Sequence, residues 1–146
     1  MIHSESHDHD KLTIEAVKRV APSVVSIVIS KYLPKIKGIY PSPFFNPFFF
    51  GDVEEGAKEK IKVGGGSGFI VHPDGLILTN KHVVFDPDAE YTALTIDGQE
   101  YPAKVISRDP INDIAVLKIQ TRGLPSVRLG NSSKLELGQT VIAIGN

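Results

Sequence analysis

The sequence predicts an all-β domain led by one short helix. Three observations carry that expectation. From Gly64 onward, short β-branched runs alternate with turn residues; two Asp-Gly pairs each sit between apolar runs; and apolar residues recur at helical spacing near the N-terminus. Several short strands at regular spacing, with turn signals between them, indicate a barrel or a sandwich.

The elements follow in chain order. Residues 1–10, MIHSESHDHD, are polar and rich in His and Asp, and read as a disordered tail. A helix is expected from about Asp10, a suitable N-cap, to Val20. Leu12, Ile14, Val17 and Val20 recur at helical spacing, and Pro22 lies just beyond the end. Ser23 to Ser30, SVVSIVIS, is β-branched and reads as a strand. Residues 31–63 fit no compact element. Pro34, Pro41, Pro43 and Pro47 punctuate them and the charged DVEEGAKEKIK follows, so a long loop insert is expected. Within it stand Phe44, Phe45, Phe48, Phe49 and Phe50. So many apolar side chains are costly to leave in water. They are expected to bury either against this domain's own core or against another subunit.

The remaining strands are clearer. Gly68 to Val71 and Leu76 to Thr79 flank His72-Pro73-Asp74-Gly75, and Tyr91 to Ile96 and Glu100 to Ile106 flank Asp97-Gly98. Asp-Gly between apolar runs is a hairpin signal, because the turn needs positive φ. Ile114 to Ile119 and Thr140 to Ile144 complete the set of predicted strands.

Composition narrows the function classes. A chain of 146 residues suits one domain, which at that size buries roughly 70% of its unfolded surface. With 16 basic and 17 acidic residues the net charge is −1, so no global field draws the protein to nucleic acid or acidic membranes. The absence of cysteine removes disulfides, thiolate metal ligands and a cysteine nucleophile together. No apolar run approaches the ~18–20 residues of a membrane span, and the first ten residues lack the basic and apolar regions of a signal peptide. His3, His7 and His9 with Asp8 and Asp10 are metal-ligating types, but nothing orients them. Neither a metal nor any other cofactor is expected.

Two segments carry chemistry. In Leu78-Thr79-Asn80-Lys81-His82-Val83-Val84 a lone histidine follows an apolar strand, and by itself such a residue is more often structural. In Asp109-Pro110-Ile111-Asn112-Asp113-Ile114-Ala115-Val116-Leu117 an acid stands immediately before a strongly apolar strand. Alone, Asp113 could equally be a cap or turn residue. A carboxylate drawn towards a core needs a partner, and a histidine N–H suits it, since the carboxylate fixes the tautomer and stabilises the imidazolium.

Taken together, these segments resemble the trypsin-like serine proteases of the HtrA/Deg family. The resemblance rests on GSGFIV around Ser67, DGLILTNKHVV, DPINDIAVLKI and LGNSSKLELGQTVIAIGN, in the family's order, with 31 residues from His82 to Asp113. It runs from about Lys11 to Asn146. It implies a six-stranded barrel of the chymotrypsin fold, with the general base at His82 and the orienting acid at Asp113. In that frame residues 11–130 are the first protease barrel, and residues 131–146 the interbarrel linker and the first strand of a second barrel, a strand expected by itself to be disordered, to dock on the first barrel or to pair with another chain. The Phe-rich insert falls where the family carries a regulatory loop implicated in subunit contacts. The resemblance further implies unfolded or misfolded polypeptide as substrate, an extracytoplasmic setting and a trimer-based homo-oligomer.

One departure bears on activity. The family's second barrel supplies the serine in a GNSGGP-type motif, which has no counterpart in these residues. Gly65-Gly66-Ser67-Gly68-Phe69 is no nucleophile elbow, because Gly-x-Ser-x-Gly needs glycine where Phe69 stands. Ser132 and Ser133 lie beside a turn with no base in their local motif. The 146-residue polypeptide alone is therefore expected to be inactive. The competing expectation is a non-catalytic interaction module that docks through Phe44 to Phe50.

Overall fold

The structure, a computed structural model, describes residues 3–36 and 53–145. After a helix α1 (His3–Val20) come six strands: β1 (Val24–Ile36), β2 (Val53–His72), β3 (Leu76–Asn80), β4 (Glu90–Leu94), β5 (Glu100–Arg108) and β6 (Ile114–Ile119). All neighbours pair antiparallel, in the order β1-β2-β3-β6-β5-β4, and the ring closes where β1 pairs β4 from Ser26↔Leu94 to Ser30↔Glu90. The all-β expectation with a six-stranded barrel and a leading helix holds.

Alternation builds the core. Along β6, Ala115, Leu117 and Ile119 point inward and are buried, and the same period places Val25 and Ile27 of β1, Ile77 of β3, and Tyr91 and Ala93 of β4 inside. Fully burying a Leu or Ile side chain stabilises by about 1.5–3 kcal/mol, so this ring of aliphatics is the principal support of the barrel. Tyr91 keeps its polar end satisfied by donating its hydroxyl to the Asp86 carbonyl at 2.7 Å. Both Asp-Gly turns form as expected, with φ of 87° at Gly75 and 82° at Gly98. At Gly75 a side chain is also sterically barred: a Cβ there would lie 2.6 Å from the Ile119 carbonyl oxygen.

Three expectations are corrected. Residues 1–10 were expected to be a disordered tail, yet α1 begins at His3, and Asp10 is inside the helix rather than its N-cap. Lys18 and Arg19 in its last turn complement the helix dipole. Its apolar residues have little cover, with Leu12 and Ile14 both exposed.

The second correction concerns the insert. Residues 31–36 and 53–63 are not loop but prolong β1 and β2 as a paired ribbon, with Lys31↔Ile61, Tyr32↔Lys60 and Leu33↔Glu59 opposite each other. Pro34 is tolerated because β1 meets β4 only up to Ser30, leaving the far edge of β1 open beyond it. Phe44, Phe45, Phe48, Phe49 and Phe50 lie outside the described residues.

The third is Thr140 to Ile144, predicted as a strand, which joins no ladder. Instead Thr140, Ile142 and Ile144 line a cleft with Val20 of α1, Val24 and Phe69 on the outside of the barrel.

Candidate active site

Two loops at one end of the β3–β6 pair build the site. After Asn80 ends β3, the chain makes a 3₁₀ turn over Lys81–Val84. Val83 and Val84 are buried in the core, anchoring the turn, while the His82 side chain is 72% exposed. The turn fits closely over β2 because residue 66 is glycine: a Cβ there would lie 2.6 Å from Val83 Cγ2. From the other side, Arg108 at the end of β5 donates its Nε–H to the Val84 carbonyl at 2.8 Å.

Asp113 is delivered by the loop between β5 and β6. The Asp109 carboxylate accepts from the backbone N–H groups of Ile111 and Asn112, both at 2.7 Å, an Asx turn of the kind aspartate favours. Those two N–H groups, Asn112 first, hold the Asp109 carboxyl below its ordinary value. Lys81 ties the loops together, its Nζ donating to the Pro110 carbonyl at 3.0 Å.

The two residues singled out by sequence meet here. His82 Nδ1 lies 2.7 Å from Asp113 Oδ2, and the His82 backbone N–H donates to Oδ1 at 2.9 Å. The His82 ring, then the His82 backbone N–H, and less strongly Asn80, hold the Asp113 carboxyl below its ordinary value. An ionised carboxylate is acceptor only, so in the neutral ring the proton sits on Nδ1 and Nε2 keeps its lone pair. That nitrogen lies on the far side of the ring from Asp113. The arrangement can therefore accept a proton at Nε2 and stabilise the resulting imidazolium.

Ser67, on β2, offers its carbonyl to the Thr79 hydroxyl at 2.8 Å, and Ser132 and Ser133 lie exposed in a short 3₁₀ turn. Among the described residues no three His, Cys, Asp or Glu side chains come together as metal ligands. Sequence reasoning assigned no role to Asn80, Arg108 or Asp109. Asp109 was recoverable from the Asp-Pro-x-Asn turn pattern, whereas the roles of Asn80 and Arg108 depend on which strands become neighbours.

Comparison with known proteins agrees with the barrel. Residues 66–146 match the family model described as a trypsin-like peptidase domain. The chain is 40% identical over 126 residues to a probable periplasmic serine endoprotease, DegP-like, of Ectopseudomonas mendocina, covering 83% of this chain and 26% of that protein. It is 42% identical over 120 residues to the similarly named protein of Chlamydia pneumoniae, covering 77% of this chain and 24% of that protein. The chain thus spans about a quarter of the length of these relatives. Among solved structures it is similar to the HtrA-type protease AlgW with a decapeptide, at a TM-score of 0.65 and 33% identity, covering 86% of this chain and 38% of that one.

Proposed function

This chain belongs to the trypsin-like peptidases of the HtrA/Deg type, and on that premise we propose that His82 is the general base of a serine endopeptidase and Asp113 the acid that orients it. The carrying observation is the 2.7 Å contact between His82 Nδ1 and Asp113 Oδ2, braced by the backbone N–H of His82 on Oδ1. In this reading Nε2 takes the proton of a serine hydroxyl as its oxygen attacks the scissile carbonyl. The Asp113 carboxylate stabilises the imidazolium, and Nε2–H then protonates the leaving amine.

The nucleophile and the oxyanion donors come from protein outside these 146 residues, since no serine here stands in a GNSGGP-type motif. The barrel of residues 11–130 supplies base and acid, and residues 131–146 lead towards the part that supplies the rest. The substrate is an unfolded or misfolded polypeptide acted on outside the cytoplasm. Two observations support this: the relatives are named as probable periplasmic serine endoproteases, and AlgW was solved with a decapeptide.

Hydrolysis of fluorogenic casein tests the assignment. The 146-residue polypeptide alone gives no turnover. In a longer protein containing these residues together with the serine-bearing part, Asp113→Asn lowers kcat by about 10⁴-fold, and His82→Ala removes triad catalysis. Undiminished casein hydrolysis in the His82→Ala protein would overturn the proposal.

A further inference from the structure

Asp113 is the non-glycine residue with positive φ among those described, at 51°. This left-handed conformation is uncommon for a residue with a side chain, although aspartate is among the more tolerant. Something must hold it there, and the contacts identify the holder. The Asp113 carbonyl accepts from the Lys81 backbone N–H at 3.0 Å and from Asn80 Nδ2 at 3.3 Å. The same Asn80 nitrogen lies 3.3 Å from Asp113 Oδ2, the oxygen that receives His82 Nδ1.

One amide nitrogen with two hydrogens thus bridges the backbone and the side chain of the same residue. We infer that Asn80 is a positioning residue that locks Asp113 in the left-handed conformation, so that both carboxylate oxygens face His82. The inference rests on the proposed roles of His82 and Asp113 and extends them to a third side chain. Residue type and place suit the task. Asn80 ends β3 directly before the histidine turn and opposite Ile114, the first residue of β6, so its side chain reaches across to the residue preceding that strand. An aspartate of the same shape would present two acceptors to two acceptors, and alanine would present nothing. Because Asn80 is exposed, its value lies in fixing geometry rather than in stability.

NMR on the 146-residue polypeptide and its Asn80→Ala and Asn80→Asp variants tests this. The wild type is expected to show a downfield His82 Nδ1–H resonance, a left-handed backbone signature at Asp113, and an Asp113 carboxyl that titrates below its ordinary value. Both variants are expected to keep the barrel amide spectrum, to broaden or lose the Nδ1–H resonance, and to move the Asp113 titration upward. The shift is larger for Asn80→Asp, where a like charge is added. Variants that retain the resonance, the backbone signature and the titration of the wild type overturn the inference. Absence of the Nδ1–H resonance in the wild type itself overturns the His82–Asp113 pairing and the inference together, so the two failures are distinguishable. Should one variant fail to fold, the other decides.

Discussion

The barrel strands and the stretch from residue 122 to residue 145 are both rich in aliphatic side chains, yet they end in opposite environments. Leu117 and Ile119 in β6 are fully buried, whereas Leu129, Leu135, Leu137 and Val141 are exposed, Leu137 completely. The difference is not one of hydrophobicity. IAVLKI has β3 on one side and β5 on the other, so its backbone polar groups are satisfied and its alternate side chains face a shared interior. TVIAI has no pairing strand among the described residues. A β-pattern specifies a strand only where a ladder is available to receive it.

Stability measurements can sharpen that contrast or break it. Leu117→Ala should cost about 2–5 kcal/mol in urea unfolding, because it removes a fully buried side chain from the middle of the core. A smaller loss, about 1–3 kcal/mol, is expected for Gly66→Ala, which sets a Cβ against the stiff Val83 side chain. That variant should also move the chemical shifts of His82, since the histidine turn must lift. Arg108→Met removes the hydrogen bond to the Val84 carbonyl and should cost about 1 kcal/mol.

Acid dependence probes the site end of the barrel. The Asp113 carboxyl is held below its ordinary value of 3.8 in the fold, chiefly by the His82 ring. A group depressed in this way contributes stability that is present above the unfolded value and lost as pH falls through the folded one. Asp86, Asp97 and Asp109 have the same sign. The urea midpoint should therefore fall between about pH 5 and about pH 3, and Asp113→Asn should flatten part of that slope. Least of all, Leu137→Asn should change stability by no more than about 0.5 kcal/mol. A loss comparable with that of Leu117→Ala would mean that the outer segment is packed after all.

Sequence reading succeeded where local signals and tertiary demands coincide. Ile114 to Ile119 was predicted to the residue, and Leu76 to Thr79 lacked only Asn80, because alternation and flanking turns act over a few positions. The Asp-Gly hairpins were legible because positive φ is a local requirement. The β1–β2 ribbon was not: Lys31, Pro34 and Lys58 look like loop residues, and only their cross-strand pairing makes them strand. The histidine and aspartate were found through the order of their motifs. The left-handed backbone at Asp113 and the grip of Asn80 on it depend on β3 lying beside β6, a neighbourhood that no window of sequence displays.

The placement of β3 next to β6 has a temporal consequence. His82 follows β3, Asp113 precedes β6, and the hairpin of β4 and β5 lies between them in the chain. Pairings across such sequence distances come at a cost in loop-closure entropy and form slowly. On a growing chain the β2–β3 hairpin can assemble early, leaving a histidine with no acid beside it. His82 acquires its carboxylate neighbour only when the last strand docks, so assembly of the pair and completion of the ring are one event.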